Sequence, residues 1–512
     1  MGNLAVISVY DKQGVIEFAR GLRDLGYQIV STGGTAKVIR DAGVEVKEIS
    51  DLTGFPEILD GRVKTLNPVV FAGILARRSK PEHVAQLEEK GIPLVDVVAV
   101  NLYPFEQTVK RPGATIEEAI ENIDIGGPSL IRAAAKNHED VIVICDPSDY
   151  EPVLDGLRSG TLGAQARRKL AAKAFYHTAC YDSLIASYFA RKSGVPQDDF
   201  PERFAVYFEK KYDLRYGENP HQKAAFYVEP FSTEVTIAGA RQLQGKELSF
   251  NNILDADAAL NVVREFDQPA AVAVKHTNPC GCAIGETIAE AFRKTYEGDP
   301  VSIFGGIVAF NRKLDAETAR RLVELFLEIV IAPEYDDEAL EILKRKPNLR
   351  VLVTGHWMGH SGQGRDFRRV RGGLLVQEAD ITDAAHWKVV TEKEPTPEQL
   401  ADLHFAWKVV KHVKSNAIVL AKGRQTIGVG AGQMNRIDAA RIAISHAGEA
   451  AKGCVLASDG FFPFADVVEA AADAGVVAIV QPGGSIRDEE SIAKANERGV
   501  PMLLTGVRHF RH

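Results

Sequence analysis

The sequence predicts an α/β fold with a largely parallel sheet, distributed over at least two domains. Short apolar runs alternate with longer amphipathic ones, which is the pattern of strands and helices that follow one another along the chain. The chain has 512 residues, too many for one hydrophobic core. Its 45% hydrophobic and 25% charged residues are typical of a soluble globular protein.

The net charge and the cysteines indicate which partners the protein could bind and in which compartment it could work. A net charge of −8 does not favour a nucleic-acid binder. Five widely spaced cysteines argue against a disulfide framework and favour a reducing compartment. The first residues enter a strand directly, so we expect no signal peptide and no lipid anchor. No apolar run is long enough to cross a bilayer, and a cytoplasmic protein without a membrane partner is expected.

Strand and helix patterns alternate regularly near the start of the chain. Leu4–Val9 predicts a strand, Gly14–Leu25 a helix and Tyr27–Val30 a second strand. Residues 31–37, Ser-Thr-Gly-Gly-Thr-Ala-Lys, then lead into a helix that ends near Gly43. The glycines let the backbone approach a ligand and leave N–H groups free, so this turn predicts a phosphate site. A capped helix after a tight turn is the alternative.

The next candidate site residues are two cationic side chains and the polar residues at the end of a predicted strand. Arg62 and Lys64 flank a valine, so in an extended segment they point the same way and suit a phosphate or a developing oxyanion. Val95–Val100 is a nearly continuous apolar run, as in a buried parallel strand. It delivers Asn101 and Tyr103 at its carboxyl end, where α/β sheets usually bind ligands.

The helix predicted over Pro128–Lys136 has an acid before its start and a cation at its end. Asp124 lies in Glu-Asn-Ile-Asp-Ile-Gly-Gly, where an isolated aspartate is more often a helix cap. Lys136 closes the helix, where a cation suits the helix dipole without any functional role. A long helix over Ala164–Arg191 then reaches residues 193–201, whose Gly, Pro and Asp content predicts a linker with a boundary near 199.

The rest of the chain is organised around residues 272–281, Val-Ala-Val-Lys-His-Thr-Asn-Pro-Cys-Gly. They read as a buried strand that ends on Lys275 and His276. Three residues are then expected to force a turn: Asn278, Pro279 and Gly281. A histidine there can take a proton near neutral pH, with the lysine charge beside it. A solvated strand end with two ordinary polar residues is the alternative.

The region after residue 200 repeats a rhythm of strand, polar turn and helix, which suggests an internal duplication. Arg215 and Tyr216 could pair a phosphate with a stacked base. Gly306 lies at the start of a buried strand, Glu328 precedes another, and Asn416 opens a third.

Two cofactor classes are disfavoured by spacing. The glycine-rich stretch 426–437 superficially resembles a dinucleotide loop, but no acidic residue follows at the required distance. A nicotinamide oxidoreductase is therefore not favoured. His276, Cys280 and Cys282 faintly echo the zinc deaminase pattern, but the cysteines are one residue too close and His-x-Glu is absent. We expect no catalytic metal.

Five motifs of the N-terminal region occur in a fixed order. They are Ser-Thr-Gly-Gly-Thr-Ala-Lys, Asp-Gly-Arg-Val-Lys-Thr-Leu, Asn-Leu-Tyr-Pro-Phe, Glu-Asn-Ile-Asp-Ile-Gly-Gly and Ala-Ala-Ala-Lys-Asn-His. Together they resemble the inosine monophosphate (IMP) cyclohydrolase domain of a bifunctional purine-biosynthesis family. The resemblance implies a doubly wound fold similar to methylglyoxal synthase over residues 1–199. It also implies that ring closure is carried by Lys64, Tyr103, Asp124 and Lys136.

The same resemblance implies a nucleotide-binding set in this domain, formed by Lys12, Thr32, Gly33, Gly34, Thr35, Arg62, Thr65, Asn101 and Ile125. One departure stands out. Family members usually carry histidines where this chain has Asn67 and Phe71, and neither side chain can titrate. An N-terminal nucleotide-binding module with impaired cyclohydrolase activity is therefore kept as an alternative.

Residues 200–512 resemble the formyltransferase domain of the same family. The motifs include Arg-Tyr-Gly-Glu-Asn-Pro-His-Gln, Lys-His-Thr-Asn-Pro-Cys-Gly, Phe-Gly-Gly-Ile-Val-Ala, Lys-Ser-Asn, Gly-Ala-Gly-Gln-x-x-Arg and Ser-Asp-x-Phe-Phe-Pro-Phe. The resemblance implies a duplicated cytidine-deaminase-like unit without zinc. It also implies a homodimer with the formyltransferase sites at its interface.

The resemblance implies formyl transfer from 10-formyltetrahydrofolate to the amine of 5-aminoimidazole-4-carboxamide ribonucleotide (AICAR), followed by dehydrative ring closure to IMP. His276 would be the base, Lys275 would stabilise the transition state and Asn416 would orient both. The nucleotide would be held by Arg215, Tyr216, Gly306, Glu328, Arg436, Phe461 and Arg508. The folate would be held by Ile437, Asp466, Ser485 and Ile486. No redox cofactor is required, and a structural potassium ion near Ser458 and Asp459 is compatible with the family.

Overall fold

The computed structural model describes residues 3–192, 200–230, 234–357, 364–382 and 386–512. The chain divides into two compact units, Met1–Tyr207 and Phe208–His512. The predicted linker and its boundary near 199 fall largely on residues 193–199, outside the described residues. Within the described ranges, no helix is long and apolar enough to cross a bilayer.

The first unit is built on a parallel sheet. Its strands are β1 (Leu4–Ser8), β2 (Gln28–Ser31), β3 (Lys47–Glu48), β4 (Val97–Val100) and β5 (Ile142–Ile144). They lie in the order β3-β2-β1-β4-β5, and every pair is parallel. The chain winds outward from β1 on one side and then returns to continue on the other. This confirms the doubly wound arrangement that was predicted.

The described helices of this unit cover both faces of the sheet. They are α1 (Val15–Asp24), α2 (Gly33–Asp41), α3 (Ile49–Thr53), α4 (Pro68–Leu75), α5 (Pro81–Glu89), α6 (Phe105–Lys110), α7 (Ile116–Glu121), α8 (Gly126–Lys136), α9 (Tyr150–Ser159) and α10 (Ala164–Lys192). Because both faces are covered, all four residues of β4 are buried and apolar. In α1, Val15, Phe18 and Leu22 face the core at helical spacing.

The second unit contains two halves, each with six strands and four α-helices among the described residues. A hairpin precedes them, β6 (Glu209–Leu214) and β7 (Ala224–Val228). The first half has strands β8 (Arg241–Gln244), β9 (Ala270–Lys275), β10 (Asn278–Ile284), β11 (Ile307–Phe310), β12 (Ile329–Ala332) and β13 (Arg350–Val353). Its helices are α11 (Phe250–Val263), α12 (Ile288–Gly298), α13 (Ala316–Leu322) and α14 (Asp337–Leu343).

A second hairpin, β14 (Arg365–Val370) and β15 (Gly373–Glu378), lies between the halves. The strands of the second half are β16 (Lys388–Val389), β17 (Ile418–Ala421), β18 (Thr426–Gly430), β19 (Val455–Ser458), β20 (Ala478–Gln481) and β21 (Met502–Leu504). Its helices are α15 (Pro397–Val410), α16 (Arg436–Ala447), α17 (Asp466–Asp473) and α18 (Asp488–Glu497).

The two halves have the same topology. Their sheets run β10-β9-β11-β12-β13-β8 and β18-β17-β19-β20-β21-β16, so each strand has a counterpart in the same place. Both sheets begin with an antiparallel hairpin, continue with parallel strands and end on an antiparallel edge strand. The internal duplication suggested by the sequence rhythm is therefore confirmed.

Equivalent residues in the hairpin regions of the two halves are 147 positions apart. Helices α11 and α15 begin and end at this spacing. Glu265 and His412, also 147 apart, contact each other, with 2.8 Å between a carboxylate oxygen and Nε2. Because two equivalent positions meet, this contact lies close to the axis that relates the halves. One hydrophobic cluster includes residues of both sheets.

The turn after β9 differs from the predicted one. It is formed by His276 and Thr277, both with left-handed backbone angles. Asn278, Pro279 and Gly281 instead lie in the returning strand β10. Asn and Pro usually favour turns, but antiparallel pairing with β9 prevails here. Proline is tolerated because β10 is the edge strand of its sheet.

Candidate active sites

A cavity of about 530 Å³ lies at the carboxyl ends of β1, β2 and β4. Strand order reverses between β1 and β4, and doubly wound sheets bind ligands in the crevice at that point. Most of the residues predicted for the first domain line this cavity: Lys12, Thr32, Gly34, Thr35, Arg62, Lys64, Thr65, Asn101, Tyr103, Asp124 and Ile125. The predicted motifs therefore converge on one place.

One corner of the cavity is suited to an anion. Gly33 and Gly34 begin α2, and apart from their chain neighbours and the backbone of α2 no atom lies within 4 Å of the place where a side chain would start at either residue. Thr35 donates from its hydroxyl to the backbone oxygen of Val9 at 2.9 Å, and Lys12 Nζ lies 3.1 Å from the same hydroxyl. Burial, together with the nearby Lys64 charge, lowers the pKa of Lys12 despite the charge of Asp11. A bound anion would relieve this crowding of cations.

The opposite side of the cavity holds an acid, a phenol and an amine. Asp124 accepts a hydrogen bond from the backbone N–H of Gly127 at 2.7 Å, so it also caps α8. Burial raises the pKa of Asp124 in spite of hydrogen bonds from backbone amides and the charge of Lys64. Lys64 Nζ lies 6.0 Å from the centre of the Tyr103 ring. These are groups that can exchange protons with a bound substrate.

Two other residues of the predicted set support the walls. The Asn101 side-chain oxygen accepts from the backbone N–H groups of Tyr10 and Asp11, which holds the loop after β1. Arg62 forms an exposed ion pair with Glu121. Neither interaction was predicted, because residues far apart in sequence supply the partners.

Lys136 lies elsewhere in this chain. The cavity is at the first turn of α8, whereas Lys136 is the last residue of that helix and is exposed. Ten residues at a rise of 1.5 Å separate the two ends by about 15 Å. The described residues of one chain therefore do not bring Lys136 to the other predicted ring-closure groups.

The two positions that depart from the family pattern lie outside the set of described residues that line the cavity. Asn67 caps α4 by accepting from the backbone N–H of Val69 at 2.9 Å. Phe71 is partly buried against the hydrophobic core of the unit. Both have structural contacts that do not require a titratable group.

In the second unit, Lys275 and His276 line a cavity of about 220 Å³ together with Cys280, Asp299 and His446. The His276 side chain is exposed, and Lys275 Nζ donates to the backbone oxygen of Phe304 at 2.9 Å. Burial raises the pKa of Cys280 to about 12, which keeps its thiol protonated. Among the described residues, no cluster of three or more His, Cys, Asp or Glu side chains could hold a metal ion.

The backbone N–H groups of His276 and Thr277 both donate to the carboxylate of Asp255, a residue of α11. Asp255 was missed from the sequence, because it lies twenty-one positions before His276 and no local motif marks it. A signal was nevertheless present, since an aspartate recurs 147 positions later as Asp402.

Asn416 is held close to the His276 turn. The backbone N–H of Lys414 donates to the side chain of Asn278 at 2.9 Å, which ties the two loops together. The Asn416 side-chain oxygen accepts from Arg436 at 2.6 Å, and its amide donates to the Gln433 backbone oxygen at 2.8 Å. Its side-chain amide therefore has a fixed orientation.

Arg436 lies in a buried network. It forms an ion pair with the fully buried Asp459 and donates to the hydroxyl of Ser458 at 2.8 Å. Asp459 also accepts from the hydroxyl of Ser415. The Arg436 side chain is 4% exposed, so in this chain it supports Asn416, and its contact with the nucleotide stays a prediction.

A larger cavity of about 760 Å³ contains Arg215, Tyr216 and Glu328. The Arg215 guanidinium lies 4.8 Å from the centre of the Tyr216 ring. Glu328 forms an ion pair with Arg350 at 2.6 Å, and its backbone N–H donates to the Gly306 oxygen at 3.0 Å. Four predicted nucleotide contacts, two from the hairpin β6–β7 and two from the first half, therefore lie close together.

The remaining predicted residues lie on the second half. They are Phe461, Arg508, Ile437, Asp466, Ser485 and Ile486, and none lines any of the three cavities described above. Arg508 lies over the ring of Phe510 at 4.3 Å, Asp466 begins α17, and the Ile486 side chain is fully exposed. Of the predicted folate residues, Ile486 is exposed, whereas Ile437, Asp466 and Ser485 are partly buried.

Comparison with known proteins gives two family matches. Residues 134–446 match the AICARFT/IMPCHase bienzyme family, and residues 14–129 match the MGS-like domain. The chain is also 57% identical over 515 aligned positions to the bifunctional purine biosynthesis protein PurH of Halalkalibacterium halodurans, with both chains fully covered. Identity to the protein of the same name from Anoxybacillus flavithermus is 58%, again with full coverage of both.

A third relative with this name, from Oceanobacillus iheyensis, is 55% identical over the full length of both chains. Among solved structures, the crystal structure of ForH is 41% identical to this chain and has a TM-score of 0.34. That match covers 38% of this chain and all of the other.

Proposed function

Because the chain belongs to the AICARFT/IMPCHase bienzyme family, we propose how its two units divide the work. The protein is an AICAR formyltransferase and an IMP cyclohydrolase. It transfers a formyl group from 10-formyltetrahydrofolate to the 5-amino group of AICAR and then closes the formylated nucleotide to IMP with loss of water. We assign ring closure to the first unit, Met1–Tyr207, and formyl transfer to the second, Phe208–His512. The domain boundary near residue 199 stays a prediction.

The ring-closure proposal depends on one observation, the cavity at the β1–β4 crevice with cations at one corner and Asp124 opposite. We propose that Lys12 and the start of α2 bind the nucleotide phosphate, since free N–H groups and a cation suit an anion. The carboxamide nitrogen then attacks the formyl carbon within reach of Lys64, Tyr103 and Asp124. A cation there stabilises the developing oxyanion, and an acid assists the loss of water.

The formyl-transfer proposal depends on the His276 turn and its contact with the Asn416 loop. The amine of AICAR is conjugated with its ring and is a weak nucleophile. It needs a base to remove its proton during attack and a donor for the tetrahedral oxyanion. We assign these roles to His276 and Lys275, with Asn416 as the group that orients them. Arg215 and Tyr216 would hold the nucleotide from the larger cavity.

Two paired substitutions test the assignment. His276→Ala should lower formyl transfer at least about a hundredfold, because the general base is lost, and should spare closure of supplied formylated nucleotide. Lys64→Ala should do the reverse. The two reactions are followed separately by ultraviolet absorbance. The reverse pattern would contradict the assignment of units.

We propose that the protein acts as a homodimer with formyltransferase sites at the interface. The exposed positions of Ile486, Phe461 and Arg508 support this, because a second chain could complete their site. Light scattering should give twice the mass of one chain. Mixing a His276→Ala chain with a chain changed at a folate residue such as Asp466→Ala should restore part of the formyl transfer.

The tetrahydrofolate co-substrate carries the formyl group, and formyl transfer moves no net electrons, so we propose that no redox cofactor takes part. The potassium site expected near Ser458 and Asp459 is poorly supported. The Asp459 carboxylate already accepts from Arg436, Ser415 and the backbone N–H of Ala417. A cation beside this guanidinium would meet like charge, so we assign it no role.

We also propose a cytoplasmic location and no nucleic-acid partner. Free thiols at Cys145, Cys280, Cys282 and Cys454 are consistent with a reducing compartment. The net charge of −8 opposes binding to a polyanion. Fractionation of the native cell, with the formyltransferase activity as marker, tests the location.

A further inference from the structure

The backbone turn that carries His276 occurs twice in the chain. In the first half, His276 and Thr277 have φ angles of 52° and 62°. In the second half, Gly423 and Arg424 connect β17 to β18 with φ angles of 60° and 54°. Each residue of the second turn lies 147 positions after its counterpart. The second copy has glycine where the first has histidine, so only the first can act as a base.

A carboxylate from the preceding helix holds each turn. Asp255 accepts from the N–H groups of His276 at 3.1 Å and Thr277 at 2.7 Å. Asp402 accepts in the same way from Gly423 at 2.8 Å and Arg424 at 2.6 Å. Hydrogen bonds to an ionised acceptor are stronger than neutral ones. The arrangement is therefore a built feature of both halves.

The first turn needs its carboxylate more than the second does. A left-handed backbone is unfavourable for residues with a Cβ atom, and more so for β-branched residues such as Thr277. The second turn relieves part of this strain with Gly423. In the first turn both residues carry side chains, so the two hydrogen bonds to Asp255 must offset the strain at both positions.

The lysines before the two turns also correspond. Lys275 Nζ donates to the backbone oxygen of Phe304 at 2.9 Å, and Lys422 Nζ donates to that of Lys452 at 2.9 Å. The two turns therefore have the same surroundings, including a lysine that connects the end of the preceding strand to a neighbouring loop. The imidazole is what distinguishes the first.

We propose that Asp255 is a positioning residue of the formyltransferase site. Its carboxylate holds the left-handed turn through the two backbone N–H groups. The conformation of this turn then sets the orientation of the His276 imidazole. Asp255 acts through the backbone and need not touch substrate. This inference rests on the proposed role of His276 as the base.

The second half supplies a matched control. In Asp255→Asn, one carboxylate oxygen becomes an NH₂ group that faces a backbone N–H, so one of the two hydrogen bonds is lost. We expect kcat for formyl transfer to fall about tenfold or more while KM for AICAR stays within about twofold, because orientation is lost and binding is not. Asp402→Asn makes the same change in the turn without histidine and should leave both constants within about twofold of the original.

Ring closure on supplied formylated nucleotide should be unchanged in both variants, because it belongs to the first unit. An unchanged urea transition of the second unit, Phe208–His512, reports that this unit has folded. Equal losses of formyl transfer in the two variants, or no loss in Asp255→Asn, would overturn the proposal. If His276→Ala retains formyl transfer, the assignment of the base is wrong, a result that differs from failure of Asp255 alone.

A second variant separates positioning from direct chemistry. Thr277→Gly removes the backbone strain that Asp255 offsets, since glycine adopts left-handed angles freely. In the Thr277→Gly background, Asp255→Asn should lower kcat at least about threefold less than it does in the original chain. Without recovery in the double variant, the carboxylate would be acting on substrate or on a proton, and the positioning role would be refuted.

Discussion

Asp124 serves two purposes with one carboxylate. It satisfies the N–H of Gly127 at the start of α8, and it also lines the nucleotide cavity of the first unit. A cap could be an asparagine or a serine with little loss. The presence of an ionisable group whose pKa is raised by burial is better explained by chemistry than by capping.

Asp124→Asn should stabilise the protein at neutral pH while lowering ring closure. An acid whose pKa is higher in the folded state than in the unfolded state adds stability at low pH, and this stability is lost as pH rises through the folded pKa. Asparagine has no such dependence and can still accept from Gly127. Thermal unfolding from about pH 3 to about pH 8 should show the two proteins diverging as pH rises.

No ring closure should be recovered in Asp124→Asn at any pH if the carboxyl group is needed. A variant less stable than the original at neutral pH would show that the hydrogen bond to Gly127, rather than burial, dominates. Formyl transfer serves as the control and should not change.

Single residues show where sequence reasoning succeeds and where it stops. Tyr103 and Asn101 could be assigned to the site from the sequence, because they follow the carboxyl end of a buried strand, where α/β sheets bind ligands. Asp255 could not, because its partner is distant and its contact is with backbone. Lys136 was predicted with the ring-closure groups, although helix rise alone places it about 15 Å from the cavity end of α8.

In each half of the second unit, one helix packs very closely against one strand, α12 against β10 and α16 against β18. Gly281 in β10 and Gly428 in β18 are 147 positions apart, and a helix backbone oxygen lies against each. A Cβ atom would lie 2.4 Å from the Thr295 oxygen at Gly281 and 2.1 Å from the Ala443 oxygen at Gly428. Only glycine fits such an approach without moving the helix.

Gly428→Ala should therefore lower the free energy of unfolding by about 2–3 kcal/mol, because α16 must shift away from β18. The urea midpoint of the transition assigned to the second unit measures this. Gly239→Ala is the control, since the nearest atoms would be in ordinary contact at 3.7 Å. It should change stability by less than about 0.5 kcal/mol. Equal effects of the two would show that α16 adapts freely.

Whole elements were easier to predict than turns. Apolar runs of the right length marked β1, β4 and β9 to within one or two residues. The turn after β9 was misplaced because Asn278 and Pro279 resemble a turn locally. The pairing that keeps them in a strand depends on β9, and the left-handed turn depends on Asp255, so neither can be read from adjacent residues.

The two units differ in how much of their sites one chain contains. The first unit gathers nearly all of its predicted residues around one cavity, whereas those of the second unit lie in two cavities and at further positions outside them. The duplication was visible in the sequence as a rhythm only. The order of the strands in the two sheets was needed to confirm it. The halves have the same topology and the same spacing of equivalent residues, but these residues are often of different types.

The first unit should therefore function alone. A fragment of residues 1–207 should close supplied formylated nucleotide with a kcat within about threefold of the full chain, because its cavity is formed by its own residues. Ultraviolet absorbance measures the product. A fragment that binds nucleotide without closing the ring would favour a sensing module, and loss of activity with intact folding would point to a contribution from the second unit.

Duplication allows one copy to specialise while its twin preserves the architecture. The loop at 422–425 keeps the shape of its sister at 275–278 but carries no imidazole. Saturation mutagenesis under purine starvation should accordingly yield two unlike profiles. Gly423 should accept only those replacements that the backbone tolerates, whereas growth should depend on the chemical identity of His276 itself.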